Sequence, residues 1–80
     1  MEDSKQEEVV CKLKIIFEKL LVIKIESLDD LVFGKTKNWD SLKHLQIIMN
    51  VEKEFSIKIK TSDVTALISF NKIKDYILLN

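Results

Sequence analysis

The sequence predicts an all-α fold, a small four-helix bundle in a single domain over residues 1–80. The 80 residues are 46% hydrophobic and 32% charged, which is too apolar a composition for a disordered chain. They include one glycine and no proline, so the turn residues that a small all-β fold needs are missing. Apolar residues also recur at helical spacing along most of the chain, which favours helices over strands.

The first helix is expected from about Ser4 to Leu21. Its apolar residues at helical spacing are predicted to face the core, and they are Val9, Leu13, Ile16, Phe17 and Leu20. Ser4 followed by Glu7 forms a capping-box pattern, which predicts that Ser4 caps this helix. Cys11 has apolar neighbours, and we expect it to be a small core residue rather than a reactive thiol.

A long loop is expected from Val22 to Asp40, where the helical period is lost. Ser27-Leu28-Asp29-Asp30 could cap a short turn, and Gly34 and Asn38 are typical of loops. Four apolar residues are expected to hold the loop against the bundle: Leu28, Leu31, Val32 and Phe33. A connection this long in so small a domain is typical of either a functional or a poorly ordered segment.

The second helix begins at Asp40 and Ser41, continues to about Phe55 and carries two apolar stripes. One stripe is wide enough to face the core and consists of His44, Ile47, Ile48, Val51 and Phe55. The other lies on the far side of Glu52 and consists of Leu42, Leu45 and Met49. One core needs one stripe, so the second is either a surface for a partner or is covered by the preceding loop.

Two further helices are expected after a connector over residues 56–60. The connector is predicted to turn two residues inward, Ile57 and Ile59. Thr61-Ser62-Asp63 is predicted to cap a short third helix that ends at about Leu67, and Ser69 to cap the fourth. The inward face of the fourth helix is expected to carry Phe70, Ile73, Tyr76 and Ile77.

Ser41 lies at the N-terminus of the second helix, where two roles are open to it. A serine at this place ordinarily caps the helix by accepting a backbone N–H. The same place suits a phosphate group, because free N–H groups and the helix dipole both point at it. Position alone favours the cap.

The segment from Trp39 to Phe55 resembles the acyl carrier protein family. Asp40-Ser41-Leu42 is similar to its Asp-Ser-Leu attachment motif, and Ile59 follows Phe55 by four residues as in that family. Asp75-Tyr76-Ile77 resembles the end of the family's last helix, and no insertion separates the two motifs. The resemblance covers the whole domain and is strongest in its second half.

This resemblance implies a carrier, not an enzyme. A separate phosphopantetheinyl transferase, using coenzyme A and Mg²⁺, would attach 4'-phosphopantetheine to Ser41 through a phosphodiester, with Asp40 and Leu42 completing the motif. The thiol of that arm would carry acyl groups as thioesters to acyl-loading and acyl-transferring enzymes that dock along the second helix. The contact residues implied are Trp39, Leu42, Lys43, Leu45, Gln46, Met49 and Glu52. Attachment then outweighs capping at Ser41, although both roles can coexist.

The chain departs from this family in two ways. Trp39 stands where the family usually has glycine, as in a subset of free-standing carriers outside housekeeping fatty acid synthesis. The family is usually strongly acidic, whereas this chain has 13 basic and 13 acidic residues. Lys43, Gln46 and Lys53 occupy positions where acids are common. Because charge complementarity selects partners, we expect a dedicated partner set in a specialised lipid, polyketide or other secondary pathway.

Other readings of the same residues remain open. An aminoacyl or peptidyl carrier would share the arm, but such carriers more often have Gly-Gly where this chain has Asn38-Trp39. An unmodified helical interaction domain would use the second stripe alone. A hydrolase built on Ser41 and His44 would have its triad within one helical turn, which is poor geometry. His44 is expected to pack or to contact a partner, and Trp39 to pack the loop or to line the partner surface.

Composition argues against several other classes. All 13 basic residues are lysines and none form a basic block, so nucleic-acid binding is not expected. A single cysteine excludes an internal disulfide and fits a reducing compartment. Three aspartates, Asp29, Asp30 and Asp63, lack the spacing of a calcium loop, so no metal site is expected. The polar N-terminus and the charges within the most apolar stretch predict a cytoplasmic domain without a signal peptide or membrane span. A monomer is expected, although the near-neutral charge leaves self-association open.

Overall fold

The structure, a computed structural model, describes residues 2–25, 27 and 30–79. Within these residues the chain forms four helices: α1 (Glu2–Leu21), α2 (Ser41–Phe55), α3 (Thr61–Val64) and α4 (Phe70–Leu79). Helix α1 packs against both α2 and α4. The predicted all-α bundle, with a long loop before α2 and a short third helix, is confirmed. None of these helices is both long enough and apolar enough to cross a membrane.

The core face of α1 agrees with the predicted apolar pattern at four positions. Its buried residues are Val9, Leu13, Ile16, Phe17 and Leu21, while Leu20 is half-buried against them. Two predictions on this helix are wrong. Helix α1 begins at Glu2, so Ser4 lies inside it and is not its cap. Cys11 is exposed, because it lies about 200° around the helix from the buried Val9.

Backbone hydrogen bonds hold the loop before α2 against the start of α4. Phe33 N–H donates to the Ile68 carbonyl at 2.8 Å, and Phe70 N–H donates to the Leu31 carbonyl at 2.9 Å. Leu31 is buried and Phe33 is half-buried, as predicted for anchors of this loop. Leu28 and Asp29, which were expected to act in the same loop, lie outside the described residues.

The loop reverses direction at the two residues that mark it in the sequence. Gly34 has φ +88° and Asn38 has φ +70°, both in the left-handed region that glycine and asparagine tolerate best. The Asn38 side-chain Nδ2 donates to the carbonyl of Leu21 at 2.8 Å. This bond satisfies a carbonyl at the end of α1 and fixes the chain one residue before Trp39.

The connector after α2 is held by one side chain of that helix. Ile59 N–H donates to Glu52 Oε2 at 2.9 Å, and Ile59 is buried while Ile57 is half-buried, as predicted. Helix α3 is shorter than expected and ends at Val64. Its predicted cap is wrong, because Thr61 is already helical and the capping residue is Lys60, which makes no side-chain cap bond.

Side chains join α3 to α4 and close the start of α4. Ser69 Oγ accepts from Lys72 N–H at 3.1 Å, which confirms Ser69 as the cap. Tyr76 O–H donates to Asp63 Oδ2 at 3.1 Å. The pKa of Tyr76 is raised above its ordinary value, mainly by burial and to a lesser extent by this bond to a carboxylate, since both disfavour the phenolate. The inward face of α4 agrees with the prediction: Phe70, Ile73 and Ile77 are buried, and Tyr76 is partly buried against the core.

Candidate functional site

Asp40, and not Ser41, caps helix α2. Asp40 has extended backbone angles, φ −106° and ψ −174°, and its Oδ1 accepts from Lys43 N–H at 2.9 Å. Its carbonyl accepts the first helical bond from His44 N–H at 2.8 Å. The expectation that Ser41 caps the helix is therefore wrong, and Ser41 is the first helical residue.

The Ser41 hydroxyl is left unused by the fold. Ser41 is exposed, and its side chain makes no hydrogen bond to any part of the chain that the structure describes. It projects from the start of a 15-residue helix, where the backbone N–H groups carry partial positive charge. A hydroxyl that is exposed, unbonded and beside an anion-favouring helix end is suited to bear a phosphate ester.

Replacing the cap and the candidate attachment residue should affect stability differently. We expect Asp40→Ala to lower the free energy of unfolding by about 1 kcal/mol, because a backbone N–H of α2 loses its acceptor. Ser41→Ala should change it by no more than about 0.5 kcal/mol, as for other exposed positions. Urea denaturation of both variants measures the difference. Equal losses would contradict the assignment of the cap.

Trp39 is buried directly beneath this helix start, with only 3% of its surface exposed. Its ring meets Phe17 edge-on at 5.0 Å between centroids and Phe33 at 6.2 Å. Its Nε1 donates to His44 Nδ1 at 3.1 Å. The prediction that Trp39 lines the partner surface is therefore wrong, and the alternative, that it packs the loop, is the one observed.

His44 is also part of the packing, as its position on the core stripe predicts. Its Nδ1 accepts from Trp39, so its Nε2 carries the proton and donates to the Val64 carbonyl at 2.8 Å. Both ring nitrogens are occupied, and neither is available as a base for Ser41. The geometry therefore does not support a Ser41–His44 hydrolase.

The second apolar stripe of α2 is exposed to solvent. Leu42, Leu45 and Met49 expose 64%, 53% and 66% of their surface, so the preceding loop does not cover them. Lys43 and Gln46 are half-buried next to the stripe. Glu52, the last residue predicted for this surface, uses Oε2 to hold the Ile59 N–H, so its carboxylate already serves the fold.

A pocket of about 360 Å³ opens beside Ser41, where the loop, α2 and the α3 region meet. It is lined by Phe33, Ser41, His44, Leu45, Val64, Thr65 and Ile68. Four of these residues, Phe33, Val64, Thr65 and Ile68, were not predicted to belong to the site. They are distant from Ser41 in sequence, and no local pattern marks them. No cluster of three or more potential metal ligands occurs in the part of the chain that the structure describes.

Comparison with known proteins identifies the family. No family model matches the chain, and no solved structure matches it. An acyl carrier protein from Buchnera aphidicola subsp. Schizaphis graminum (strain Sg) is 39% identical to it over 67 residues, which are 82% of this chain and 85% of that protein. Together with the helical bundle and the exposed Ser41 at the start of α2, this similarity shows that the chain belongs to the acyl carrier protein family and is a carrier, not an enzyme.

Proposed function

We propose that the protein carries acyl intermediates as thioesters on a 4'-phosphopantetheine arm attached to Ser41. The observation that carries this proposal is the Ser41 hydroxyl, which is exposed and unbonded in an Asp-Ser-Leu motif at the start of α2. When bound, the arm supplies a terminal thiol that forms the thioester. The family generally carries this group, and the residues present fit it.

The start of α2 would hold the phosphodiester of the arm on Ser41. Its free N–H groups and dipole favour a negative group by about 0.3–1 kcal/mol at an exposed site. Asp40 caps this end of the helix by accepting a hydrogen bond from Lys43 N–H, so the Ser41 oxygen is not needed as a cap. Asp40 and Leu42 flank the attachment residue and complete the motif that the transferase would recognise.

The pocket beside Ser41 offers apolar surface to the carried acyl group. Phe33, Leu45, Val64 and Ile68 contribute side chains to its wall, and Ser41 lies at its edge. An acyl chain placed there would be partly withdrawn from water, which is favourable by about 25 cal/mol per Å² of apolar surface buried. The size of the pocket, about 360 Å³, limits how much of a chain it can cover.

Partner enzymes would dock on the exposed stripe of α2. Leu42, Leu45 and Met49 give apolar contact next to the arm, with Lys43 and Gln46 beside them. Trp39 is buried and contributes no contact to this surface. Glu52 is half-buried at the edge of the stripe and stays part of the proposed surface while its Oε2 holds the connector. The partners proposed are a phosphopantetheinyl transferase and the acyl-loading and acyl-transferring enzymes of a specialised cytoplasmic pathway. The chain would serve them as a monomeric domain spanning residues 1–80.

Intact mass spectrometry tests the attachment. After incubation with a broad-specificity phosphopantetheinyl transferase, Mg²⁺ and coenzyme A, the protein should gain the mass of one phosphopantetheinyl group. Ser41→Ala should gain none, whereas Ser62→Ala, which removes an exposed serine near the start of α3, should gain the full group. A gain that persists in Ser41→Ala would place the arm elsewhere. No gain with several transferases, and none in protein from its own cells, would leave an unmodified interaction domain.

A further inference from the structure

The His44 ring closes the inner side of the pocket beside Ser41. His44 lines this pocket, yet only 7% of its surface is exposed. Its Nε2 donates to the Val64 carbonyl at 2.8 Å, and its Nδ1 accepts from Trp39 Nε1 at 3.1 Å. Trp39 is buried behind it and does not line the pocket, with 5.8 Å between the two ring centroids. The His44 ring therefore joins α2 to the end of α3 and cannot turn aside without breaking at least one of these bonds.

The other walls of the pocket also separate it from the core. Phe33 packs its ring against His44, with 5.3 Å between centroids, and its N–H donates to the Ile68 carbonyl at 2.8 Å. Ile48 of α2 and Leu67, which follows α3, are buried in the core and do not line the pocket. An acyl chain that enters the pocket would therefore meet a closed wall and not a channel into the bundle.

We propose that His44 limits the acyl group that this pocket can hold to about eight carbons. The inference rests on the proposed function, because it concerns the group carried on the arm. An engineered cavity of about 150 Å³ holds one benzene molecule, so a pocket of about 360 Å³ has room for about fourteen carbon-sized atoms. The thioester end of the arm takes part of this room, which leaves space for about eight carbons of acyl chain. The carbons of a longer chain would lie over Leu45, which lines the pocket and also belongs to the exposed stripe, and would stay in contact with water.

Cleavage of a series of thioesters on the unaltered protein tests this length limit. A broad-specificity transferase loads Ser41 from butanoyl-, octanoyl-, dodecanoyl- and hexadecanoyl-coenzyme A, and intact mass verifies each product. Hydroxylamine then cleaves each thioester, and each rate is divided by that of the matching coenzyme A thioester below its micelle concentration. We expect octanoyl to be cleaved about tenfold more slowly than butanoyl, because more of its chain is withdrawn from water. Dodecanoyl and hexadecanoyl should lie within about twofold of octanoyl.

The outcomes separate this inference from the proposed function. Absence of a mass gain at Ser41 would contradict the proposed function, and this inference with it. Loading followed by steadily slower cleavage up to hexadecanoyl would show that the chain passes His44 into the core. Equal rates at all lengths would show that the pocket holds no chain. Either of these last two results would overturn the inference and leave the carrier role intact.

Two variants show whether His44 sets the limit. His44→Ala removes the ring and its bond to Val64, so dodecanoyl should be cleaved about fivefold more slowly than octanoyl. The control, His44→Gln, keeps a side chain of similar length with an amide donor for the Val64 carbonyl, and its limit should stay at octanoyl. Circular dichroism verifies that both variants are folded. A folded His44→Ala with an unchanged limit would overturn the role of His44, and the series on the unaltered protein tests the limit even if this variant does not fold.

Discussion

Trp39→Ala is expected to lower the free energy of unfolding by about 3–5 kcal/mol. The indole fills the space between Phe17, Phe33 and His44, and its removal leaves a cavity that the surrounding helices can fill only in part. It also leaves His44 Nδ1 without its donor in a buried site, which adds an unsatisfied acceptor. A small domain has about 5–15 kcal/mol of stability in total, so this variant would be close to unfolding.

Urea denaturation followed by circular dichroism measures this loss. Trp39→Phe serves as a partial control, since it restores most of the apolar volume but not the N–H. It should cost about 1–3 kcal/mol, the penalty of leaving a buried acceptor unpaired. Leu42→Ala, at a position 64% exposed, should change stability little. A loss below about 1 kcal/mol for Trp39→Ala would show that the indole is not buried as described.

Met49→Asn should reduce kcat/KM for loading by the transferase about tenfold, which corresponds to about 1.4 kcal/mol of lost partner binding. Met49 is 66% exposed on the stripe of α2 that is proposed as the docking surface, and it makes no contribution to the buried core. Asparagine is chosen because it removes apolar surface without altering charge. The change therefore tests apolar docking separately from any change in charge.

Ile15→Asn provides the matched control for this experiment. Ile15 is 58% exposed on α1, so the substitution removes a similar share of exposed apolar surface, while Met49→Asn loses a few tenths of a kcal/mol more helix propensity, roughly, than Ile15→Asn does. Urea denaturation should give similar free energies of unfolding for the two variants, while loading should be slowed in Met49→Asn alone. Equal rates for the two variants would remove Met49 from the docking surface.

The helices could be predicted from the sequence because burial imposes a period on apolar residues. The same reasoning separated the two stripes of α2, one buried around Ile47 and Val51 and one exposed around Leu45 and Met49. The helical period also predicts that Cys11 is exposed, since this residue lies off the arc of Val9 and Leu13. The prediction of a buried Cys11 was wrong because apolar neighbours in sequence do not bury a residue that lies on the outer face of its helix.

Other features depend on contacts that no local pattern reveals. Asp40 and Ser41 are both favoured capping residues, and only the backbone angles decide between them. Trp39 is buried because Asn38 turns the chain and binds the end of α1, which carries the indole inward. The pocket beside Ser41 brings Phe33 and Ile68 together through the folding of the loop onto α4. The burial of Trp39 and the pocket thus depend on residues that are distant in sequence, and the cap depends on a backbone conformation that the residue types leave open.

The division between Asp40 as cap and Ser41 as proposed attachment residue has a consequence for the order of events in the cell. A newly made chain can fold while Ser41 is still unmodified, because Asp40, the residue before it, already caps helix α2. The transferase would then meet a finished surface and would not have to assemble one. Removal of the arm would likewise leave a folded protein ready for another round, so loaded and unloaded pools could interconvert without refolding.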